Sequence, residues 1–270
     1  MKIDFVKYEG TGNDFVIIDN RTLAFNPTPD VVAAVCDRRF GVGADGLMLL
    51  RNNDMNDFTM RYFNSDGTEA TMCGNGGRCI SLFAVHLGIG NPDNLLFTAS
   101  DGLHSARLTE RRGDSGDIAL GMIDCAEPQH FDDGWYVDTG VPHCVVFVAD
   151  VDAVDVLGDG RRIRYSSQFE SFGGVNVDFV QVVDGHSLKI RTYERGVEDE
   201  TFACGTGAVA SAVVTSRVYQ PLVEQFDVVV RGGQLQVMFR HDGTHYRHVV
   251  LAGPARRVFS GTFDYENFIH

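Results

Sequence analysis

The sequence predicts an α+β fold made of two homologous domains from an internal duplication, each a curved β-sheet or barrel around a central helix. Three observations lead to this prediction: a cysteine-glycine motif that occurs twice, strand-like segments throughout both halves, and a long helical pattern directly after each copy of the motif. The chain has 270 residues, a length that suits two modest domains with cores of their own.

The duplication is visible in two stretches that align at one offset. EATMCGNGG, from Glu69, matches ETFACGTGA, from Glu200, so that Cys73 and Cys204 fall in register 131 residues apart. LFTASDGLHSARL and DVVVRGGQLQVMF align at the same offset, and with small gaps TMRYFN resembles KIRTYE and GADGLMLL resembles NVDFVQVV. Chance similarity between β-rich segments is the alternative, but independent agreement at one offset favours two homologous domains.

Both halves consist mainly of predicted strands. The segments are short, rich in β-branched and aromatic residues, and bounded by Gly, Asn and Asp, which is typical of strands joined by turns. In chain order they are VKYEG, DFVIID, FTMRYFN, LLFTAS, SARLTE, YVDTG, CVVFVAD, VDFVQVV, LKIRTYE, FDVVV, LQVMF and HVVLAG.

Helices are predicted at three places between these strands. After CGNGGR, the residues Ile80, Phe83 and Leu87 recur at helical spacing, and Gly88 is the expected end. After CGTG, the segment AVASAVVTSRV is apolar on nearly every face, which indicates a helix surrounded by sheet. A shorter helix, DVVAAVCDRRF, is expected from Asp30, which follows a proline and would cap the helix.

The composition excludes several classes of protein. With 23 basic and 37 acidic residues the formal charge is −14, so there is no basic excess to bind nucleic acid or an anionic membrane surface. The first residues, MKIDFVKYEG, alternate apolar with charged residues, and no uncharged stretch reaches membrane-spanning length, so we expect a cytoplasmic protein. The six cysteines include no CxxC pair, which argues against a zinc site and favours free thiols.

Cys73 and Cys204 each lie at a predicted strand-to-helix turn that is followed by glycines. The unpaired N–H groups and the positive end of a helix bind a carboxylate or phosphate, and the same field is expected to lower a thiol's pKa from its free value of about 8.5. Each half then supplies an anion site together with an activated sulfur. For either motif alone, a small core cysteine is the alternative.

Two such cysteines are suited to inverting a stereocentre, because a thiolate can remove a proton from one face of a carbon while a thiol delivers one to the opposite face. For an amino acid, the α-carboxylate would lie between the two helix starts, where backbone donors take up the developing charge. Neither a metal nor a cofactor is required. Pyridoxal phosphate needs a Schiff-base lysine, and the only lysines, Lys2, Lys7 and Lys189, lie in no setting typical of that cofactor.

Three longer motifs resemble those of a known family. GTGNDFVIID from Gly10, FNSDGTEATMCGNGGRC from Phe63 and ERGVEDETFACGTG from Glu194 resemble the opening motif and the two cysteine motifs of the diaminopimelate epimerases, which are pyridoxal-independent amino-acid epimerases. The resemblance covers nearly the whole chain. It implies an isomerase that interconverts LL- and meso-diaminopimelate in lysine and cell-wall precursor biosynthesis, with the active site in the cleft between the two domains.

The resemblance also implies a role for each matching residue. Cys73 and Cys204 would be the two acid/base residues. The substrate-binding set would be Asn13, which orients the reacting centre, the backbone of Gly74, Asn75, Gly205 and Thr206, which holds the α-carboxylate, and Asn64, Asn176 and Arg195, which read the distal amino and carboxylate groups.

Two further polar residues match the family near the thiols. Glu194 would bind the substrate, and His143 would be an accessory residue that assists proton movement. A solvated carboxylate and a hydrogen-bonded core histidine are the respective alternatives. Arg78 is left outside the site, because it can equally neutralise a neighbouring carboxylate.

The resemblance implies domain bounds and partners as well. The first domain would span residues 1–120 and be completed by residues 258–270, and the second would span residues 121–257. The expected partner is a small amino-acid substrate, with no nucleic acid, no membrane and no cofactor, and a homodimer is suggested.

Two positions depart from the family pattern and leave the substrate open. Many members have an asparagine where this chain has Val141, and some have a glutamine where it has Gly46. Racemases of other amino acids, such as histidine, share the architecture and are the main alternative, whereas a phenazine-pathway isomerase of the same architecture does not keep both cysteines. The alternative from another class is a non-catalytic anion-binding or redox-sensing protein.

Overall fold

The computed structural model describes residues 1–268. That range contains eighteen β-strands, four α-helices and short 3-10 helices at Val151–Ala153, Ser167–Phe172 and Tyr265–Phe268. The strands are β1 (Lys2–Gly10), β2 (Asn13–Asp19), β3 (Gly46–Arg51), β4 (Phe58–Asn64), β5 (Glu69–Ala70), β6 (Leu95–Ala99), β7 (Gly102–Arg112), β8 (Ser115–Gly121), β9 (Cys125–Ala126), β10 (Gln129–Phe131), β11 (Gly134–Asp138), β12 (Pro142–Phe147), β13 (Asn176–Val182), β14 (Ser187–Glu194), β15 (Asp199–Thr201), β16 (Gln225–Val230), β17 (Gly233–His241) and β18 (His245–Asp264). The helices are α1 (Pro29–Cys36), α2 (Gly74–His86), α3 (Val156–Arg164) and α4 (Gly205–Val218).

The first of two units comprises residues 1–120 and the C-terminal segment that begins at Pro254. In its sheet β2 and β3 are parallel, β3 and β4 are antiparallel, and β4 is parallel to β6, which is followed by the antiparallel strands β7 and β8. β1 pairs with β2 on one side and with the Arg256–Asp264 part of β18 on the other. The C-terminal segment predicted to complete this domain, residues 258–270, begins within the paired part of β18. The last two residues of that predicted segment, Ile269 and His270, lie outside the described residues.

The second unit, residues 121–253, repeats this order of pairings. β11 and β12 are antiparallel, β12 and β13 parallel, β13 and β14 antiparallel, and β14 is parallel to β16, which is followed by the antiparallel strands β17 and β18. α4 follows β15 just as α2 follows β5. The match of element with element confirms the predicted duplication and the α+β class.

A buried helix lies at the centre of each unit. α2 packs against β1, β2, β3 and β7, and its residues from Gly74 to Val85 are all buried. α4 packs against β11–β14, β16 and β17 and is buried from Gly207 to Ser216. As predicted, α2 ends just before Gly88, which adopts a positive φ of 70°. None of the helices within residues 1–268 has both the length and the apolar character that crossing a lipid bilayer requires.

The short helix α1 begins earlier than its sequence suggests. Asp30 lies inside the first turn, and the capping residue is Thr28, whose hydroxyl accepts a hydrogen bond from the Val31 N–H at 3.5 Å. Pro29 occupies the first helical position, where its missing N–H costs nothing because that group has no partner within a helix. The prediction of a capping aspartate is therefore wrong.

The same helix also ends earlier than predicted. It stops at Cys36 rather than at Phe40, because Asp37 adopts an extended backbone. The Asp37 carboxylate then accepts hydrogen bonds from the backbone N–H groups of Arg39 and Phe40, both at 2.7 Å. A side chain that binds nearby backbone donors competes with the helical hydrogen bonds at this point.

Every predicted strand segment overlaps a strand, but several strands were not predicted. These are β3, β8 and the short strands β5, β9, β10 and β15, and β18 continues to Asp264 although the last predicted segment ends at Gly253. In this continuation Arg256, Arg257 and Gly261 interrupt the apolar pattern. The strand is specified by its pairing with β1, which is more than 200 residues away in the chain.

A buried ion pair joins β1 to β2. Lys7, which is 6% exposed, donates to the Asp14 carboxylate at 2.7 Å and to the carbonyl of Gly43. Arg38 donates to the same carboxylate at 2.7 Å. Burial by itself raises the pKa of Asp14, but the hydrogen bonds from Arg38 and Lys7 outweigh it and lower the pKa to about 2. Folding therefore favours the ionised carboxylate.

We expect the contribution of Asp14 to stability to depend on pH. Because its pKa is lower in the folded chain than the unfolded value of about 3.9, the stabilisation is complete above that value and is lost as the pH falls towards 2. The shift corresponds to roughly 2 kcal/mol. In chemical denaturation, the difference in free energy of unfolding between wild type and Asp14→Asn should shrink by about 2 kcal/mol from about pH 5 to about pH 2.

Asp114→Asn is a matched control for this measurement. The Asp114 carboxylate is 75% exposed, and its ion-pair distance to Arg257 is 3.8 Å. The free energy of unfolding of Asp114→Asn should differ from that of wild type by close to zero at both pH values. A difference for Asp14→Asn that does not change with pH would contradict the assignment.

Candidate active site

Cys73 is the N-cap residue of α2, directly before the first helical residue, Gly74. This helix start has neither a side-chain cap nor an acidic residue in its first turn. N–H groups in the first turn of a helix have no partner within the helix, so they can bind an anion. The predicted strand-to-helix turn at Cys73 is confirmed.

The glycines after Cys73 are required by the packing of α2. A Cβ on Gly76 would lie 2.6 Å from Met48 Cε, and a Cβ on Gly77 would lie 2.9 Å from Leu120 Cδ2. Both distances are shorter than carbon atoms tolerate, so a larger residue at either position would displace the Met48 or Leu120 side chain.

Two amide side chains connect Cys73 to a carboxylate on one side and a guanidinium on the other. Asn13 Nδ2 donates to Asp45 at 2.7 Å, so Asn13 Oδ1 faces the Cys73 thiol at 3.8 Å and Asn75 Nδ2 at 3.2 Å. Asn75 Oδ1 in turn accepts from Arg78 at 3.0 Å. A carboxylate only accepts and a guanidinium only donates, so these end groups determine the orientation of both amides. Cys73 therefore lies beside an acceptor.

Arg78 is fully buried, and its contacts differ from the sequence-based interpretation. Within residues 1–268, the hydrogen bonds of its guanidinium go to neutral oxygens: Thr11 Oγ1, Asn75 Oδ1 and the carbonyls of Gly74 and Pro254. It therefore does not neutralise a neighbouring carboxylate by direct contact. Burial lowers the pKa of the guanidinium. The hydrogen bonds offset this cost and hold the first turn of α2 in place.

Cys204 occupies the equivalent position at the start of α4. It is the N-cap residue, and this helix start again has no side-chain cap and no acidic residue in its first turn. Burial, followed by the negative charges of Glu194 and Asp178, raises the pKa of the Cys204 thiol well above its usual value. The expectation that the helix start lowers the thiol pKa is therefore wrong for Cys204, because the loss of hydration outweighs the helix field.

His143 and Asp178 form a fully buried pair beside Cys204. His143 Nδ1 lies 2.7 Å from Asp178 Oδ2, and the Thr192 hydroxyl donates to the other carboxylate oxygen at 2.7 Å. The Thr206 hydroxyl lies 3.0 Å from His143 Nε2 and 3.4 Å from Cys204 Sγ. A continuous set of polar contacts therefore connects the Asp178 carboxylate to the Cys204 thiol.

Asn176 has hydrogen-bond partners within the second unit at both ends of its amide. Its Oδ1 accepts from the Arg195 backbone N–H at 2.7 Å, and its Nδ2 lies 3.3 Å from His143 Nε2 and 3.5 Å from the Pro142 carbonyl. The Arg195 guanidinium donates to backbone carbonyls in the segment 172–174 at 3.2 Å. Asn176 thus connects His143 to the Arg195 backbone.

Asn64 and Glu194 are the last residues of the equivalent strands β4 and β14. The Asn64 amide donates to the Thr68 hydroxyl at 3.3 Å. Glu194 lies close enough to Cys204 for its charge to raise the pKa of that thiol. The two residues share a repeat position, as the alignment of TMRYFN with KIRTYE predicts.

The space beside Gly46 is filled by an aromatic ring. Gly46 pairs with Asn64 across β3 and β4. A Cβ at position 46 would lie 2.5 Å from Tyr62 Cε2 and 2.6 Å from the Phe63 carbonyl oxygen. The Tyr62 ring therefore occupies the space that a glutamine would need here.

Val141 is the other position that departs from the family pattern. It is half-buried, and its backbone carbonyl accepts a hydrogen bond from the Thr139 N–H at 3.2 Å.

Sequence reasoning missed Asp45 and Asp178, which bind the side chains of Asn13 and His143. Asp178 had a signal in the sequence, because a charged residue within the otherwise apolar segment NVDFVQVV needs a polar partner when it is buried. The strand registers also correct the alignment of GADGLMLL with NVDFVQVV: Asp178 pairs with Thr192 as Met48 pairs with Tyr62, so the counterpart of Asp178 is Met48.

The described residues give no sign of a metal site. Within residues 1–268, no three His, Cys, Asp or Glu side chains come together as a possible ligand set. Two of the three lysines are held in ion pairs, Lys7 with Asp14 and Lys189 with Asp152.

Comparison with known proteins gives consistent matches over both units. The diaminopimelate epimerase family model matches residues 5–120 and 135–258. A diaminopimelate epimerase of Flavobacterium psychrophilum is 43% identical over 95% of this chain and 98% of its own length. A diaminopimelate epimerase of Chlorobaculum tepidum is 41% identical over 94% of this chain and 98% of its own length.

A solved structure shares the fold at low sequence identity. The PhzF-family phenazine biosynthesis protein of Bacillus anthracis superposes with a TM-score of 0.77 over 98% of this chain and 99% of its own, at 14% identity. The family assignment therefore rests on the sequence matches, which span both units. By these matches, the chain belongs to the diaminopimelate epimerase family.

Proposed function

We propose that this protein is an isomerase that interconverts LL- and meso-diaminopimelate, in lysine and cell-wall precursor biosynthesis. The observation that carries the proposal is the presence of Cys73 and Cys204 at equivalent helix starts, each without a side-chain cap. The two relatives named above, at 43% and 41% identity, support diaminopimelate as the substrate.

In this proposal Cys73 and Cys204 act from opposite faces of one α-carbon. The thiolate takes the α-proton, and the electron pair of the broken C–H bond moves into the carboxylate as an enediolate-like charge. The other thiol then delivers its proton to the opposite face. The reaction leaves one thiol and one thiolate with exchanged roles, so the reverse direction needs no further reagent and no cofactor.

The remaining site residues bind the substrate. The backbone N–H groups of Gly74, Asn75, Gly205 and Thr206 hold the α-carboxylate, because first-turn donors stabilise negative charge as it develops. The uncapped helix starts support this role. Asn13 orients the reacting centre from its position beside Cys73, and its own orientation is determined by Asp45.

The distal end of the substrate is assigned to a second group. In this proposal Asn64, Glu194 and Arg195 bind the distal amino and carboxylate groups, and Arg195 is suited to a carboxylate because its donors form a planar fork. Asn176 belongs to the same group, and its amide contacts the His143 ring and the Arg195 backbone N–H.

The proposed activity is tested by hydrogen exchange in heavy water without added cofactor. We expect deuterium at Cα of both LL- and meso-diaminopimelate, because each turnover passes through loss of the α-proton. Mass spectrometry measures the incorporation. Histidine and other amino acids are included in the same panel, because Val141 and Gly46, with the Tyr62 ring beside it, depart from the family pattern and are compatible with a different substrate.

Two results of that assay would count against the proposal. Exchange with another amino acid and none with diaminopimelate would make the protein a racemase of the same architecture. No exchange with any amino acid, combined with retained binding of an anionic amino acid, would indicate a binding module.

The role of the two thiols is tested by single substitutions. Cys73→Ser and Cys204→Ser should each slow exchange by about 10²- to 10⁴-fold, the usual contribution of a general acid or base, because a hydroxyl is a poor base. The control is Cys125→Ala, since burial raises the pKa of that core thiol to about 12. It should keep the exchange rate, and circular dichroism checks folding. Near-wild-type exchange in either serine variant would exclude the two-thiol mechanism.

We also propose a cytoplasmic location and a homodimer. Six free cysteines support a reducing compartment, and the family supports the dimer. Light scattering coupled to size-exclusion chromatography should give about twice the 29.7 kDa chain mass. A mass equal to one chain at micromolar concentration would exclude a stable dimer.

A further inference from the structure

The protonation state of His143 can be inferred from its neighbours. Arg195 donates its backbone N–H to Asn176 Oδ1 at 2.7 Å, and a backbone N–H cannot act as an acceptor. The Asn176 amide is thereby oriented with its Nδ2 donors towards His143 Nε2 at 3.3 Å. Nε2 must then be an acceptor, and the hydrogen of the neutral ring lies on Nδ1, where Asp178 accepts it at 2.7 Å.

This tautomer determines what the Thr206 hydroxyl does. With Nε2 as an acceptor at 3.0 Å, the hydroxyl donates to His143, and an oxygen lone pair of Thr206 faces Cys204 Sγ at 3.4 Å. The Cys204 thiol can therefore donate to Thr206. The four side chains form a hydrogen-bond chain in which every donor points from the sulfur towards the carboxylate.

A buried thiolate at Cys204 needs such a chain. Cys204 is 7% exposed, and an isolated charge at a buried position is costly. If the proton of the Cys204 thiol moves to the His143 ring, a thiolate and an imidazolium form together, and their opposite charges stabilise each other. Asp178, with both carboxylate oxygens engaged, stabilises the imidazolium without taking up its proton.

We propose that Asp178 is a positioning residue that holds His143 in the Nδ1–H tautomer, so that His143 receives the proton of Cys204 through Thr206. The proton leaves Sγ for Thr206 Oγ1 while the hydroxyl proton of Thr206 passes to His143 Nε2. One S–H bond is broken and one N–H bond is formed, and no electron is gained or lost. The step reverses when Cys204 is reprotonated.

The first unit has a different arrangement around Cys73. At the register position of Asp178 it has the apolar Met48, and the side chain beside Cys73 is the Asn13 amide, which donates to Asp45. An amide is not protonated near neutral pH, so Asn13 Oδ1 can accept a hydrogen bond from the thiol but cannot take up its proton. The proposed proton transfer therefore concerns Cys204, whose hydrogen-bond chain contains an imidazole.

The tautomer is measured in the wild-type protein. Two-bond ¹H–¹⁵N correlation spectra of ¹⁵N-labelled protein at about pH 8, above the ordinary pKa of histidine, distinguish the two neutral forms. The His143 signal is assigned by its loss in His143→Gln. We expect the pattern of the Nδ1–H form. The Nε2–H pattern would overturn the proposal without any test of catalysis.

The second experiment is alkylation of Cys204 by iodoacetamide in Asp178→Asn, followed by mass spectrometry of the Cys204 peptide. With the Thr192 hydroxyl still donating to Oδ1, the new amide donates to His143 Nδ1 and forces the other tautomer. We expect alkylation to slow by about 10- to 100-fold, the effect of losing one charge-assisted hydrogen bond. If Asp178 acted only through its charge, its removal would accelerate alkylation, because that charge raises the pKa of the thiol.

Two controls separate positioning from folding. Cys73 in the same samples should react at an unchanged rate. Thr192→Val removes the other hydrogen bond of Asp178 but leaves its contact with His143, so it should lower stability and leave Cys204 alkylation unchanged. Faster alkylation in Asp178→Asn, or equal slowing in Thr192→Val, would refute the proposal.

The inference rests on the proposed function only for the use of the thiolate. In the exchange assay, Asp178→Asn should lose about 10²-fold or more in kcat, the usual scale for general acid–base catalysis, with a smaller change in KM. If the wild type does not exchange diaminopimelate at all, the proposed function fails while the tautomer and alkylation results still decide the inference.

Discussion

The close packing of two glycine-rich helix starts is the constraint on which the candidate site depends. Gly76 lies against Met48, and Gly207 lies so close to Asp178 that a Cβ there would be 2.3 Å from a carboxylate oxygen. A side chain at either position would displace the Met48 or Asp178 side chain. The approach keeps each N-cap cysteine next to the residues of the neighbouring strands, while the pairing of β12 with β13 brings the Asp178 carboxylate within reach of His143.

The duplication preserved the backbone but not the proton chemistry. Asp45 and Asp178 lie at different positions of the two repeats, and each accepts a hydrogen bond from a side chain that lies near a cysteine. In the first unit that side chain is the amide of Asn13, which does not titrate. In the second unit it is an imidazole, which does. Two helix starts with the same geometry therefore surround their thiols with groups of different proton affinity.

Charged groups at the ends of hydrogen-bond chains determine the direction of these contacts. Arg78 and Asp45 orient the Asn75 and Asn13 amides in one unit, and Asp178 orients the imidazole in the other. Burying such charges is costly, and the cost is offset only when donors and acceptors are matched. Arg78 shows this most clearly, because its partners are neutral oxygens that all belong to the surroundings of α2.

The sequence by itself determined the features that depend on local patterns. The duplication, the strand-to-helix turns at Cys73 and Cys204, the buried helices and the end of α2 before Gly88 follow from apolar periodicity, glycine positions and motif spacing. The turns and helices are specified by residues within about ten to fifteen positions of one another, the length of an ordinary helix or hairpin. The duplication is found by comparing two such local stretches, so none of these features requires knowledge of the fold.

Only the tertiary structure decided the properties that arise from distant neighbours. The contact between His143 and Asp178, the raised pKa of the Cys204 thiol and the neutral surroundings of Arg78 each depend on residues from separate strands. The helix field at Cys204 could be expected from the motif, but the burial that outweighs it could not. Hydration and hydrogen-bond partners are set by packing between elements far apart in the chain, and a linear pattern does not encode their distances.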